Sequence, residues 1–284
     1  MTNAEFYLED LKTKFRKIKK NKYFLSYSGG KDSHLLYWFI KEYAPEFSDI
    51  EVVGVNTYME HPEIRQRIYD MSDVVLLPAL KPFQIKEKYG IPCFSKAQDY
   101  IIHLYQNGNR KEPLLKKVNG DDWVGQDGKT RPNKFRLNQT ARDLLLSGEL
   151  HKVSNYCCKY LKKKPAEQYG KETGKKPILG VRADESNLRK AKYTSCFTQD
   201  LKFTPLWDLT DEIEFAIYEQ FNIPIPSVYK HVTRTGCMGC PYGSYKGEVE
   251  LELSLLSNSQ RKFVTQYFKE SFDVLKIKYN KEDV

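Results

Sequence analysis

Between residues 23 and 40 the spacing of apolar side chains changes period partway along. Residues 23–27 (YFLSY) form a short aromatic and apolar run of the length expected for a buried strand, whereas Leu35, Leu36, Phe39 and Ile40 recur at helical spacing. The stretch SGGKDS therefore lies where a strand hands over to a helix. Similar apolar runs at 50–57, 73–77 and 177–182 predict further strands, and the long segments between them predict crossovers. That pattern reads as an α/β fold, a parallel sheet with helices on both faces. In such sheets ligands bind beyond the carboxyl ends of the strands, where the SGGKDS turn also falls.

Flanking segments have helical periods. Tyr7, Leu11, Phe15 and Ile18 form one stripe and predict a helix over 3–20, expected to pack on the sheet edge. In TDEIEFAIYEQFNIPIPSVY, Thr210 is an N-cap candidate, acids fill the first turn, and Ile213, Ala216, Ile217 and Phe221 share a face until Pro224 and Pro226 end the helix. Residues 248–278 are again helical in pattern. Residues 96–150 lack a clear period and read as an insertion, helical around 99–105. The expected organisation is an N-terminal helix (1–22), an α/β domain (23–209) containing the insertion, and a C-terminal helical lobe (210–284).

The 284 residues carry 46 basic and 37 acidic side chains, a net charge of +9, and are 40% hydrophobic and 29% charged. This is globular composition, and no apolar run approaches the roughly 18 residues of a membrane span. MTNAEFYLEDLKTKF does not have the pattern of a signal peptide, so a cytoplasmic protein without membrane contact is expected. The basic surplus suits an anionic partner, nucleotide or nucleic acid, without choosing between them. Within the insertion Arg110, Lys111, Lys116, Lys117, Lys129, Arg131, Lys134 and Arg136 lie near Trp123 and Phe135. Interleaved cations and aromatics could grip a nucleic-acid strand, but a solvated loop is the favoured reading.

The chemistry of the SGGKDS turn is specific. Gly29 and Gly30 can adopt positive φ and let a ligand approach the main chain, and unpaired helix-start amides point outward. Ser28, Lys31 and Ser33 add hydroxyls and a positive charge, so phosphate is the expected guest. The Gly-x-x-x-x-Gly-Lys-Ser/Thr spacing of a Walker loop is absent. The turn resembles the PP-loop of adenine nucleotide α-hydrolase-like enzymes, which include ATP pyrophosphatases, tRNA thiolases and phosphoadenosine phosphosulfate reductases. That resemblance implies a Rossmann-like sheet.

Six cysteines occur, four of them in two close pairs, Cys157-Cys158 and Cys237-Met-Gly-Cys240. Thiolates in this number suit tetrahedral zinc or an iron–sulfur cluster, and adjacent cysteines favour the cluster. Disulfides are disfavoured by the cytoplasmic expectation. Two unconnected buried cysteine pairs are the plainer alternative.

The resemblance to the phosphoadenosine phosphosulfate reductase family spans about residues 22–245. VNTYMEHPEIR resembles its Asp/Asn-Thr-x-x-x-x-Pro-Glu segment, which implies that Asn56, Thr57 and Glu63 lie near the nucleotide with Ser28, Gly29, Gly30, Lys31, Asp32 and Ser33. GVRADESNLR resembles Gly-x-Arg-x-x-Glu-Ser-x-x-Arg and implies that Arg182 and Arg189 face phosphate or sulfate, a bidentate role suited to guanidinium. A salt bridge to Glu185 is the plainer reading of either arginine. TPLWDLTDEI and TRTGCMGCPYG resemble two later family segments. With Cys157 and Cys158, Cys237 and Cys240 resemble the four-cysteine [4Fe–4S] signature of adenylyl sulfate reductases. The implied catalytic set is Lys31, Asp32, Arg182 and Arg189.

One departure separates this chain from the reductases. They carry a nucleophilic cysteine in a C-terminal Glu-Cys-Gly-x-His tail, and no cysteine follows Cys240 here. Only Cys93 or Cys196 could substitute, and each reads more naturally as a small apolar residue. The favoured expectation is an ATP pyrophosphatase and sulfurtransferase using ATP with Mg²⁺ and an iron–sulfur cluster. Its partners would be a tRNA or DNA acceptor and a sulfur or electron donor protein, with a homodimer as an assembly to test. Sulfonucleotide reduction of adenylyl sulfate and non-catalytic nucleotide binding are the alternatives. His34 reads as a packed or surface residue, and nothing requires His231 to act.

Overall fold

In a computed structural model of the chain, all residues are described except Ser186, Arg234 and Val284, and the side chains of Asn187, Leu188, Tyr245 and Lys246. Two residues of the motifs quoted above, Ser186 of GVRADESNLR and Arg234 of TRTGCMGCPYG, thus lie outside the description.

The strands are β1 (Tyr23–Tyr27), β2 (Glu51–Val55), β3 (Val74–Leu76), β4 (Trp123–Val124), β5 (Thr130–Arg131) and β6 (Lys176–Ile178). The helices are α1 (Asn3–Phe15), α2 (Lys31–Trp38), α3 (Pro62–Met71), α4 (Pro82–Tyr89), α5 (Lys96–Gln106), α6 (Glu112–Asn119), α7 (Gln139–Ser147), α8 (Lys164–Thr173), α9 (Asn187–Lys192), α10 (Asp211–Gln220), α11 (Glu248–Leu255) and α12 (Asn258–Leu275). The chain divides into two units. One comprises Met1–Ala79 and Lys162–Thr235, the other Leu80–Leu161 and Gly236–Val284.

The first unit holds the sheet, in the order β3-β2-β1-β6. Every pairing is parallel, with Leu25 opposite Val52 on one side and Ile178 on the other. The order grows outward from β1 through β2 to β3 and then returns to the far side of β1. The topological switch point is therefore between β1 and β6, and the turn after β1 opens there. This is the expected α/β parallel fold. Phe203 extends the sheet past β6 through a parallel bridge to Ile178.

The core on this sheet is aromatic. Phe15 of α1 is fully buried, with ring centroids 5.1 Å from Phe39, 5.3 Å from Phe47 and 5.2 Å from Phe203. Such tilted and edge-on pairs add to the gain from area burial. Helix α1 was expected at the sheet edge; it contributes Leu8, Leu11 and Phe15 to the main core and packs against α10. It stops at Phe15 rather than running to residue 20. A Thr2 and Glu5 capping box fixes its start.

The second unit is mainly helical. Residues 96–150, expected as an insertion helical around 99–105, form α5 at that place and also α6, α7 and the two-stranded hairpin β4-β5. Ile102, Val118, Leu137, Ala141 and Val153 build a separate core with Cys93. The apolar positions were present, but no single period spans three short helices broken by Gly120 and the hairpin. The segment after Thr210, expected as one lobe, is shared between the two units at Thr235 and Gly236. Among the described residues no helix is long and apolar enough to cross a membrane.

Replacing Phe15 with alanine removes the ring that three other aromatics close on, and we expect a loss of about 3–5 kcal/mol of stability. The midpoint of urea unfolding measures it.

Candidate functional site

The turn after β1 is shaped by its neighbours. Gly29 has φ +73°, and a Cβ there would sit 2.8 Å from the Ile64 carbonyl oxygen. Both the backbone angle and the space exclude a side chain. Gly30 is the N-cap of α2 and brings no side chain to cap the first amides. Ser33 ties the turn together: its Oγ accepts from the Ser28 N–H at 3.2 Å, lies 3.0 Å from Ser28 Oγ and donates to the Gly30 carbonyl at 3.0 Å. From the adjacent strand, Gly180 brings its backbone against this helix start, since a Cβ there would meet Asp32 and Ser33 main-chain atoms at 2.9 Å. The switch point is thus a close meeting of two backbones.

Above the turn lies a network of charges. Lys31 Nζ donates to Glu214 Oε2 at 2.6 Å. Arg182 follows β6 and is 3% exposed. Its Nε donates to Asp32 Oδ1 at 2.6 Å, its Nη1 to Asp211 Oδ1 at 2.7 Å, and its Nη2 lies 3.3 Å from Glu214 Oε2. One guanidinium therefore joins the start of α2 to the first turn of α10. Burial pushes Glu214 up to about 7, helped by the charge of Asp32 and opposed by Arg182 and Lys31. Hydrogen bonding to Arg182 holds Asp211 below the usual carboxylate range. Glu214 Oε1 is buried and has no hydrogen-bond partner among the described residues.

Tyrosines complete the enclosure. The Tyr229 hydroxyl accepts from the Lys31 N–H at 2.9 Å and lies 2.8 Å from Thr235 Oγ1. The Tyr218 hydroxyl donates to the Lys31 carbonyl at 2.7 Å. Burial pushes both phenols up in pKa, so they remain neutral hydrogen-bonding groups. Neither they nor Asp211 and Glu214 were singled out from the sequence. The acids of TDEIE read there only as helix-start residues, and nothing local to SVYKHVTRT pointed toward the turn.

Ser28, Gly29, Gly30, Lys31, Asp32, Ser33 and Arg182 are thus gathered at one place. Asn56 and Thr57 stand at the carboxyl end of β2, the neighbour of β1, and serve a local turn. Asn56 donates to the Tyr69 hydroxyl at 2.8 Å, Tyr58 N–H donates back to Asn56, and Thr57 is bound by Glu60. Tyr58 has φ +67°, a strained value for a tyrosine. The Glu63 carboxylate accepts from Ser227 N–H at 2.7 Å and Ser227 Oγ at 2.6 Å. Arg189 is paired with Glu185, the plainer of its two readings. His34 is packed: burial lowers it to about 4, and its Nδ1 lies 3.1 Å from the Tyr27 hydroxyl.

All four paired cysteines belong to the second unit, and none is in a disulfide. A wide π turn over Cys158–Lys163 follows the first pair. The second pair is drawn into a tight turn in which Cys240 N–H donates to the Cys237 carbonyl at 3.2 Å and Gly239 has φ +59°. The Cys157 thiol is pushed well above its ordinary value by a hydrogen bond with Cys158, then by burial and the charges of Cys158, Cys240 and Cys237. The Tyr267 hydroxyl, buried without a partner among the described residues, lies in the field of the same four sulfurs. Among the described residues, no three His, Cys, Asp or Glu side chains are gathered closely enough to hold a metal ion. Cys93 is fully buried, and burial pushes its thiol up, which disqualifies it as a nucleophile. Cys196 packs against the aromatic core.

No protein-family model matches the sequence, and no curated protein matches it. Among solved structures, the chain is similar to phosphoadenylyl-sulfate (PAPS) reductase from Candida auris in its phosphate complex, with 11% identity, a TM-score of 0.41 and coverage of 84% of this chain and 97% of that one. It is also similar to the NH3-dependent NAD synthetase of Campylobacter jejuni in complex with nitrate, with 12% identity, a TM-score of 0.37 and coverage of 98% and 96%. For the NAD+ synthetase of Burkholderia pseudomallei the figures are 13%, 0.36, 94% and 87%.

Proposed function

We propose that the chain is a PP-loop nucleotide α-hydrolase that binds ATP at Ser28–Ser33, adenylates an acceptor with release of pyrophosphate, and takes part in sulfur transfer. The observation that carries this reading is the convergence of a side-chain-free helix start with Lys31 and Arg182 at the β1/β6 switch point. Helix-start amides and the two cations supply fixed positive charge where an α-phosphate would gain negative charge during attack. Carboxylates hold both cations in place. Asp32, Asp211 and Glu214 fix the plane of the Arg182 guanidinium, so the cation is already gathered at the turn before phosphate arrives. Mg²⁺ arriving with ATP would neutralise part of its phosphate charge. Asn56, Thr57, Glu63 and Arg189 are proposed as the outer part of the nucleotide site, with Arg189 exchanging Glu185 for an anionic group.

Cys157, Cys158, Cys237 and Cys240 are the residues that would hold a [4Fe–4S] cluster, with zinc as the less favoured occupant. Four thiols in one unit are the right donor chemistry, and since no three of them are gathered within reach of one ion, binding would draw the two pairs together; the Tyr267 hydroxyl, without a hydrogen-bond partner among the described residues, is a donor that sulfide could satisfy. Such a cluster would supply the sulfur-handling chemistry. Sulfonucleotide reduction is the weaker reading, because burial of Cys93 leaves it without an evident thiolate nucleophile.

A nucleic-acid acceptor is supported by the +9 charge and by the exposed hairpin region, where Arg131 stacks 5.4 Å from the Trp123 ring and Lys117 lies 5.8 Å from the Phe135 ring. Three of the eight cations there are already paired, Lys116 with Glu112, Arg131 with Asp127 and Arg136 with Asp122. That pairing fits the solvated-loop reading equally well.

Lys31→Ala is expected to lower pyrophosphate release from ATP by about 10²–10³-fold while leaving bound iron unchanged. Unchanged release by the purified variant contradicts the role. Anaerobic purification is expected to yield a chain with about four irons and an equal amount of sulfide, and Cys158→Ser to lose most of both. Iron and sulfide analysis reads the result, and an iron-free, zinc-bearing wild type would replace the cluster with zinc.

A further inference from the structure

The charges around the turn do not balance. Lys31 and Arg182 face Asp32, Asp211 and Glu214, two cations against three carboxylates, at the place where an anion is expected to bind. Glu214 differs from the other two acids in burial and bonding. It is 2% exposed, one oxygen receives both Lys31 and Arg182, and the other has no partner. By contrast, Asp211 stands at the exposed end of the network, its side chain 71% accessible.

Resting on the nucleotide reading above, we infer that Glu214 is a positioning residue that holds Lys31 and Arg182 ready for phosphate, and that it takes up a proton from solvent when phosphate draws those cations away. The new O–H bond forms on a carboxylate oxygen, and the buffer acid supplies the proton. Glu214 Oε1 can accept it without breaking any existing hydrogen bond. The groups facing Glu214 are Lys31 and Asp32 at the start of α2, Arg182 after β6, and Asp211 and Tyr218 on α10. Of these, only Lys31 and Arg182 favour the charged carboxylate. Turning them toward a phosphate weakens that support, and the phosphate itself adds repulsion.

The sign of the pH effect follows. Without ligand, burial and Asp32 already raise the Glu214 carboxyl to about 7, against the opposing charges of Arg182 and Lys31. With phosphate bound its pKa lies higher. Between the two values binding takes up a proton, so affinity falls as pH rises above about 7, by at most ~tenfold per pH unit for one proton. Below that range Glu214 is protonated in both states and the dependence disappears.

Calorimetric titration of ATP into the full chain at pH 8, in two buffers of different ionisation enthalpy, counts the protons. Glu214→Gln is run in parallel, because it keeps the shape, cannot titrate, and leaves any proton change of ATP itself in place. Wild type is expected to take up most of one proton more than E214Q at pH 8, and its affinity to fall up to about fivefold more than that of E214Q from pH 7 to pH 8. Equal uptake by the two proteins overturns the inference and leaves nucleotide binding standing. Absence of ATP binding by wild type overturns the nucleotide reading and this inference together. Should E214Q fail to fold, difference infrared spectra of wild type with and without ATP at pH 8 decide. A new protonated-carboxyl band supports the proposal, and its absence overturns it.

Discussion

The guanidinium of Arg182 is taken almost wholly out of water and then bound to carboxylates on two different helices. Desolvating such a charge costs several kcal/mol, and the cost is offset only where geometry and partners are good. Here Asp32, Asp211 and Glu214 provide them, and the same bonds fix the beginning of α2 relative to the beginning of α10. Removing one partner from a buried pair of this kind typically costs about 3–5 kcal/mol, because a charge is left uncompensated. The turn after β1, the lysine within it and the acids above it therefore form one cooperative object.

Sheet topology explains why that object is located where it is. Because β1 lies between β2 and β6 in a parallel sheet, the loops leaving β1 and β6 meet where the strand order reverses, the place where such sheets hold their ligands. The two loops supply complementary parts. From β1 come the glycines and the amides of α2; from β6 come Gly180, which has no room for a side chain, and Arg182 two residues later. The same geometry opposes itself, since the carboxylates that seat the cations add negative charge at the place proposed for an anion. Glu214 carries that conflict, with a raised carboxyl pKa and a partnerless oxygen.

Much of this was legible in the residues. Strand β1 falls where YFLSY predicts it, β2 and β3 fall inside their expected ranges, and α10 starts after its Thr210 cap. Local pattern reports local structure well. The turn was legible because two glycines between a strand and a helix have few other uses. What could not be read were partners brought together by folding. Asp211 and Glu214 lie about thirty residues beyond Arg182, and in a helix start acids satisfy the dipole whether or not they face a cation. Tyr229 is an unremarked tyrosine until the chain carries its hydroxyl to the Lys31 amide. Helix α5 was legible around 99–105, but α6 and α7 escaped because Gly120 and a hairpin interrupt the period before it accumulates. The cysteine pairs were visible by spacing, and the fold places both in one unit.

We propose that the amides of Ser28–Ser33 receive the phosphates of a nucleotide, and a crystal structure of the chain with ATP decides it. The expected result is phosphate oxygens at those amides, the Tyr229 hydroxyl displaced from the Lys31 N–H, and Lys31 Nζ moved from Glu214 to phosphate. Nucleotide bound elsewhere, with the Tyr229 and Glu214 bonds to Lys31 intact, would contradict it.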